Sequence, residues 1–196
     1  EPPANFILCR GSGKAMVVPP FTEAYPGVRA ACIAGDLTIT GIAKMCGMDG
    51  FTRESFTGGF DTDYMGKAEL ALQLIDQYDF VIVHVKATDL CGHDNLPGKK
   101  AKIIENINAM FGYWLDHINP SMTYLSMTAD HSTPCHYREH SADPVPSFLW
   151  GTNLRRDGVF RYGERECSHG SLTGFTGSQL TATIMDYIGF NKKFGA

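Results

Sequence analysis

The run FVIVHV (80–85) is apolar at nearly every position, far too short to cross a bilayer and too continuous for a strand with one wet face. A strand of that kind has to be covered on both sides, which calls for helices above and below its sheet. The neighbouring sequence supplies them. GKAELALQLIDQYD (66–79) places Ala68, Leu72 and Ile75 on one stripe. GKKAKIIENINAMFGYWLDHI (98–118) turns Ile103, Ile104, Ile107, Phe111 and Leu115 inward, and Pro120 stops it. NFILC (5–9), VRAACIA (28–34), MTYLSMT (122–128) and VPSFLWG (145–151) read as further strands. GSQLTATIMDYIG (177–189) reads as a last helix, with Ser178 as N-cap and Gly189 as C-cap, and the glycine-rich stretch 154–174 as a loop or small hairpin. This alternation predicts an α/β domain with a mostly parallel sheet flanked by helices. In such sheets ligands bind beyond the carboxyl ends of the strands.

Composition narrows the partners. The chain has 196 residues, 43% hydrophobic and 19% charged, enough for one sizeable core. Its net charge is −4, and basic residues run no longer than the pairs Lys99-Lys100, Arg155-Arg156 and Lys192-Lys193. That balance gives no basic stripe for a nucleic acid, and no apolar run reaches membrane length. The six scattered cysteines fit reduced thiols in a cytoplasmic enzyme better than a set of three disulfides. Glu1-Pro2-Pro3 leads straight into a strand-like run without a leader pattern, the expectation for a fragment or a processed chain.

Two segments carry chemistry. In TDLCGHD (88–94), Asp89 and His93 stand four apart in what reads as a strand-to-helix loop, with Gly92 allowing a tight turn. A carboxylate and an imidazole so placed can close on one divalent ion. The alternative is that Asp89 merely caps the loop and His93 lies on the surface. In TADHSTPCHYREHSADPVP (128–146), Asp130 and His131 again follow an apolar strand, and His140 lies nine residues on. Together the five offer two carboxylates and three imidazoles, a donor set suited to a pair of divalent ions clamping a phosphoryl group. A zinc-finger reading lacks a second Cys or His pair, so Cys135 and His136 are left as ordinary loop residues. His84 reads as a core histidine, His117 as a partner of a helix C-terminus, and His169 ranks below the five. CRGSGK (9–14) lacks the spacing of a phosphate loop, although Arg10 at a strand end could grip an anion. Lys86 is either an anion contact or a solvated charge.

The motifs DFVIVHVKATDLCGHD, TADHSTP and HSADPVPSFLWG, in that order, closely resemble the archaeal-type cofactor-independent phosphoglycerate mutases of the alkaline phosphatase superfamily. ANFILCRGSG, TGGFDTDYMGKAELAL and the closing KKFGA extend the similarity along nearly the whole chain. The resemblance implies an alkaline-phosphatase-like sheet, incomplete here because the N-terminal strand and most of the cap domain have no counterpart. Residues 1–196 would be the C-terminal part of the metal-binding phosphotransfer domain. It implies one ion on Asp89, His93 and His140, and a second on Asp130 and His131 with an aspartate and the nucleophilic serine of an N-terminal segment. No serine here has the nucleophile's context, so no catalytic residue is assigned. Arg10 matches a substrate-binding arginine, Lys86 lies in a family-typical motif, and Thr40 stands where many relatives carry lysine. The implied reaction interconverts 3- and 2-phosphoglycerate through a phosphoserine, with manganese, zinc, cobalt or magnesium and without 2,3-bisphosphoglycerate. The implied partner is the missing half, as a joined or complementary chain. A related phosphatase or phosphotransferase on another small alcohol, and a non-catalytic metal-binding subunit, are the alternatives.

Overall fold

The computed structural model describes residues 13–14 and 16–191. The expected strand 5–9 and Arg10 lie outside them. In chain order the elements are α1 (Phe21–Ala24), β1 (Ala30–Ile33), α2 (Leu37–Met45), β2 (Asp49–Phe51), α3 (Tyr64–Leu74), β3 (Phe80–Val83), α4 (Ala87–His93), α5 (Pro97–His117), β4 (Leu125–Met127), β5 (Phe148–Trp150), α6 (Glu164–Cys167) and α7 (Gly177–Tyr187). β2, β1 and β3 form a parallel sheet in that order, with Cys32 opposite Gly50 on one side and Ile82 on the other. β4 and β5 pair antiparallel in a separate two-stranded ladder.

β1 is central and buried at every position because its alternating side chains enter two cores. Ala31 and Ile33 join Phe56, Ala68, Ala71, Leu74, Met110 and Trp114 beneath α3 and α5. Cys32, with Ala34 just beyond the strand, faces the other way against Ala43 of α2. The small side chains of β1 and α3 let helix and sheet approach closely. Trp114 of α5 then reaches across, its indole Nε1 donating to the Ala68 carbonyl of α3 at 3.0 Å. A third apolar group, Ala87, Cys91 and Ile103, seats α4 on α5.

Several expectations shift. Residues 88–94 do not form a loop: Asp89 and His93 lie on α4, so their spacing of four puts them on one helical face. The sequence pattern marks neither α2 nor β2, and 154–174 contains the short α6. The buried stripe of α5 runs through Ile103, Met110 and Trp114, while Ile104 and Leu115 are about half exposed. On α3 the inner residues are Ala68, Leu70, Ala71 and Leu74, and Ile75 is exposed. α7 is capped by Thr176 rather than Ser178, through a reciprocal capping box with Gln179. Its C-cap is Ile188, and Gly189 follows with φ of +86°, the left-handed position that glycine serves best.

The phase of α5 is directly testable. Met110→Ala is expected to cost about 2–5 kcal/mol by opening a cavity, and Ile104→Ala about 0.5 kcal/mol or less. Urea unfolding of both variants measures this, and equal losses would refute the assigned face.

Candidate metal centre

All the chemistry gathers where strands end and the chain turns away. Asp36 follows β1, Lys86 and α4 follow β3, and Asp130 follows β4. Asp89 and His93 project from one face of α4. Segment 128–146, which has almost no regular structure, is brought to them by a few specific contacts. Gly92 has no Cβ where one would sit 2.3 Å from the Thr133 carbonyl oxygen and 2.7 Å from its Cγ2. Its glycine is therefore required for close approach rather than for the turn suggested by its sequence context. Thr133, buried, donates its hydroxyl to Asp89 Oδ1 at 2.7 Å, and Lys100 Nζ donates to the Thr133 carbonyl at 2.8 Å. The loop then folds back on itself: the Ser141 amide donates to the Ser132 carbonyl at 3.0 Å, which returns His140 over His131.

As a result Asp89, His93 and His140 offer ligand atoms that all lie within 4.8 Å of one another. The Nε2 atoms of His93 and His140 are 3.3 and 3.7 Å from Asp89 Oδ1. The His131 ring stacks on His140 with centroids 3.6 Å apart, and its Nε2 is 3.4 Å from Asp130 Oδ2. Proton positions follow from the partners. His93 Nδ1 lies 2.8 Å from the Arg138 carbonyl, which can only accept, so Nδ1 carries the hydrogen and Nε2 of the neutral ring presents a lone pair. That lone pair faces a carboxylate oxygen at a distance longer than the roughly 2.7–2.9 Å of a charge-assisted hydrogen bond. Imidazole nitrogens converging on a carboxylate oxygen in this way suit a divalent cation, and the nitrogen and oxygen donors fit one.

The surroundings are basic on one flank. Lys86 Nζ donates to Asp36 Oδ2 at 2.7 Å, and Asp36 also caps α2 by accepting from the Thr38 amide. Lys86, with the Thr38 amide adding, holds the Asp36 carboxyl down at about 2. The hydrogen bond to Asp36 raises the Lys86 ammonium, and Asp89 and Asp130 add to that field. Behind the pair, Lys67 is fully buried and donates to the His84 carbonyl at 3.1 Å. Burial pushes Lys67 down to about 8 and lowers His84 as well; His84, expected as a core histidine within the strand, is half-buried just beyond β3.

Other expected residues stand apart. His136 is exposed in the loop, and the Cys135 thiol approaches the Cys91 carbonyl at 3.6 Å. His117 Nδ1 bonds the Tyr113 carbonyl one turn back, and His169 Nδ1 the Arg165 carbonyl beside α6. Thr40 is buried with its hydroxyl on the Leu37 carbonyl. The hydroxyls of Ser55 and Ser126 are committed to Asp63 and the Phe148 carbonyl. An open depression of about 530 Å³ lined by Arg29, Asp49 and Tyr78 lies at the opposite, amino end of the sheet. The sequence reading missed Asp36 and Thr133. The signal for Asp36 was present, because it follows an apolar strand just as Asp89 and Asp130 do.

Fold and cluster define an α/β protein with a candidate divalent-metal centre at the carboxyl edge of its strands. The chain belongs to the Metalloenzyme superfamily, whose pattern matches residues 2–192. Its fold is alkaline-phosphatase-like and represents part of that domain. It is 42% identical over 197 residues to a 2,3-bisphosphoglycerate-independent phosphoglycerate mutase of Thermococcus kodakarensis, a match covering 100% of this chain and 48% of that protein. The corresponding mutase 1 of Methanocaldococcus jannaschii is 40% identical over 195 residues, with 100% and 47% covered. Among solved structures, a Pyrococcus horikoshii protein superposes with a TM-score of 0.87 at 41% identity, over 91% of this chain and 54% of that one. The cofactor-independent phosphoglycerate mutase of Thermoplasma acidophilum gives 0.58 at 28% identity, over 79% and 35%. The chain spans about half the length of the curated relatives it matches, their C-terminal half.

The Asp36 carboxyl is lowered from 3.8 to about 2, so its pairing stabilises the fold above pH 3.8 and that contribution is lost as pH falls through about 2. Asp36→Asn is therefore expected to flatten the fall in stability across that window relative to the parent. Urea unfolding at stepped pH gives the difference curve, and parallel curves would refute the pairing. Gly92→Ala, which forces a Cβ into the Thr133 backbone, is expected to cost about 1–3 kcal/mol in the same assay.

Proposed function

We propose that this chain is the C-terminal part of the metal-binding phosphotransfer domain of a cofactor-independent phosphoglycerate mutase. The reaction interconverts 3- and 2-phosphoglycerate in glycolysis and gluconeogenesis, in the cytoplasm, through a phosphoserine intermediate and without 2,3-bisphosphoglycerate. The observation that carries the reading is the convergence of Asp89, His93 and His140 within 4.8 Å in a chain about two-fifths identical to mutases of that name.

On this reading Asp89, His93 and His140 hold one divalent ion, and Asp130 and His131 contribute to a second. Manganese, zinc, cobalt or magnesium suits these donors. Ions bound there would lower the pKa of the attacking serine and neutralise charge on the phosphoryl group. The serine and one further aspartate come from a segment outside this chain. Lys86, steadied by Asp36, presents its ammonium toward a phosphate or carboxylate of the substrate, and Arg10 supplies a second anion contact. Asp36 keeps the lysine charged and restrains its long side chain, so less conformational freedom is lost when substrate binds.

The test is isomerisation of 3-phosphoglycerate by this chain joined to a segment that supplies the serine, with and without a chelator. Stripping the ions is expected to abolish turnover, and activity that survives it overturns the mechanism. Asp130→Asn is expected to reduce turnover by more than the roughly 10–100-fold typical of residues that only support a ligand. Unchanged turnover would remove Asp130 from the ligand set.

A further inference from the structure

The hydroxyl of Thr133 sits between residues of both candidate ion sites. It donates to Asp89 Oδ1 at 2.7 Å and lies 3.1 Å from His131 Nδ1. A threonine hydroxyl has one proton, and an ionised carboxylate can only accept. With that proton committed to Asp89, the contact to His131 requires the ring to donate, so its hydrogen resides on Nδ1. In the neutral ring this tautomer leaves Nε2 as the lone-pair nitrogen beside Asp130 Oδ2, 3.4 Å away, as a metal ligand must be. The threonine itself cannot swing aside. It is 4% exposed, its carbonyl is held by Lys100 Nζ, and its backbone and Cγ2 fill the space left by Gly92.

We propose that Thr133 is a positioning residue that selects the His131 tautomer and orients Asp89, so that one hydroxyl prepares ligands of both ion sites. This deepens the ligand assignment proposed above and rests on it. His93 has its own fixed acceptor in the Arg138 carbonyl, and Thr133 does the same for His131 while reaching Asp89 as well.

Thr133→Val keeps the shape and the methyl group but deletes the hydroxyl, and Thr133→Ser restores it. Long-range ¹⁵N–¹H spectra of the metal-free chain read the tautomer directly. The neutral His131 ring is expected as the Nδ1–H form in the parent and in Thr133→Ser, and as a mixture or the Nε2–H form in Thr133→Val. Calorimetric titration with Mn²⁺ is expected to show affinity about 10–100-fold weaker in Thr133→Val and within about threefold of the parent in Thr133→Ser. An Nε2–H ring in the parent, or an unchanged tautomer in Thr133→Val, overturns the proposal. Equal weakening in both variants overturns it too, because that pattern marks a packing role only. If the parent binds no Mn²⁺, the ligand assignment fails, while the tautomer spectra still decide the role of Thr133.

Discussion

The contact between Gly92 and Thr133 is the constraint on which the candidate centre depends. Residues 128–146 contribute only an isolated bridge to regular structure, so nothing in a ladder fixes where Asp130, His131 and His140 fall. Ordering such a segment costs about 1–2 kcal/mol per residue in backbone entropy, and local contacts have to offset it. A glycine on α4 lets the loop backbone lie against the helix. Two half-buried hydrogen bonds at Thr133 then lock it there, each with a charged partner, the class worth about 1.5–3 kcal/mol. Everything downstream, including the return of His140 over His131, is positioned relative to that anchor.

The sheet sets the other half of the geometry. Parallel strands bring their carboxyl ends to one edge, and two of the three are followed there by an aspartate: Asp36 in the turn after β1, and Asp89 on α4 after β3. Asp130 joins them from the end of β4, although β4 belongs to a separate ladder. That ladder is held to the rest by Phe148 of β5 against Phe111 of α5, ring centroids 5.4 Å apart. The three carboxylates differ in what they face. Asp36 is neutralised by Lys86, Asp89 is tied down by Thr133 and surrounded by imidazoles, and Asp130 is the most exposed, with 75% of its side chain accessible.

Much of this was legible in the sequence, and the parts that were not have identifiable causes. β1, β3, the long helices and the three donors that converge, Asp89, His93 and His140, could be read because apolar runs and His/Asp spacing are local signals. α4 was misread as a loop because Gly92 lowers helix propensity, and its real function, close approach to Thr133, is a tertiary fact. The faces of α5 were rotated because Met110 and Trp114 compete with Ile104 and Leu115 for the core, and hydrophobicity alone cannot rank them. Trp114 is favoured by its indole bond to Ala68, which needs α3 in place. β2 is three residues long and carries a glycine at its centre, too little for a period-2 pattern to register. Thr133 carried no signal at all: its role depends on a proton shared across 44 residues of sequence.

The two ligand sets are unequal, and the inequality has a physical reading. Asp89, His93 and His140 converge from α4 and the docked loop, so this chain's own fold brings three donors together before any ion arrives. Asp130 and His131 are adjacent in sequence and open to solvent on one side, which leaves coordination positions for donors from elsewhere. A preorganised triad loses little freedom on binding, whereas an incomplete pair gains affinity only when further ligands are presented. On the proposed reading, the first ion would bind to this chain by itself. The second would depend on the segment that also brings the nucleophile. Such an order links occupancy of the second site to the presence of the serine, so the activating charge is assembled only where there is a hydroxyl for it to activate.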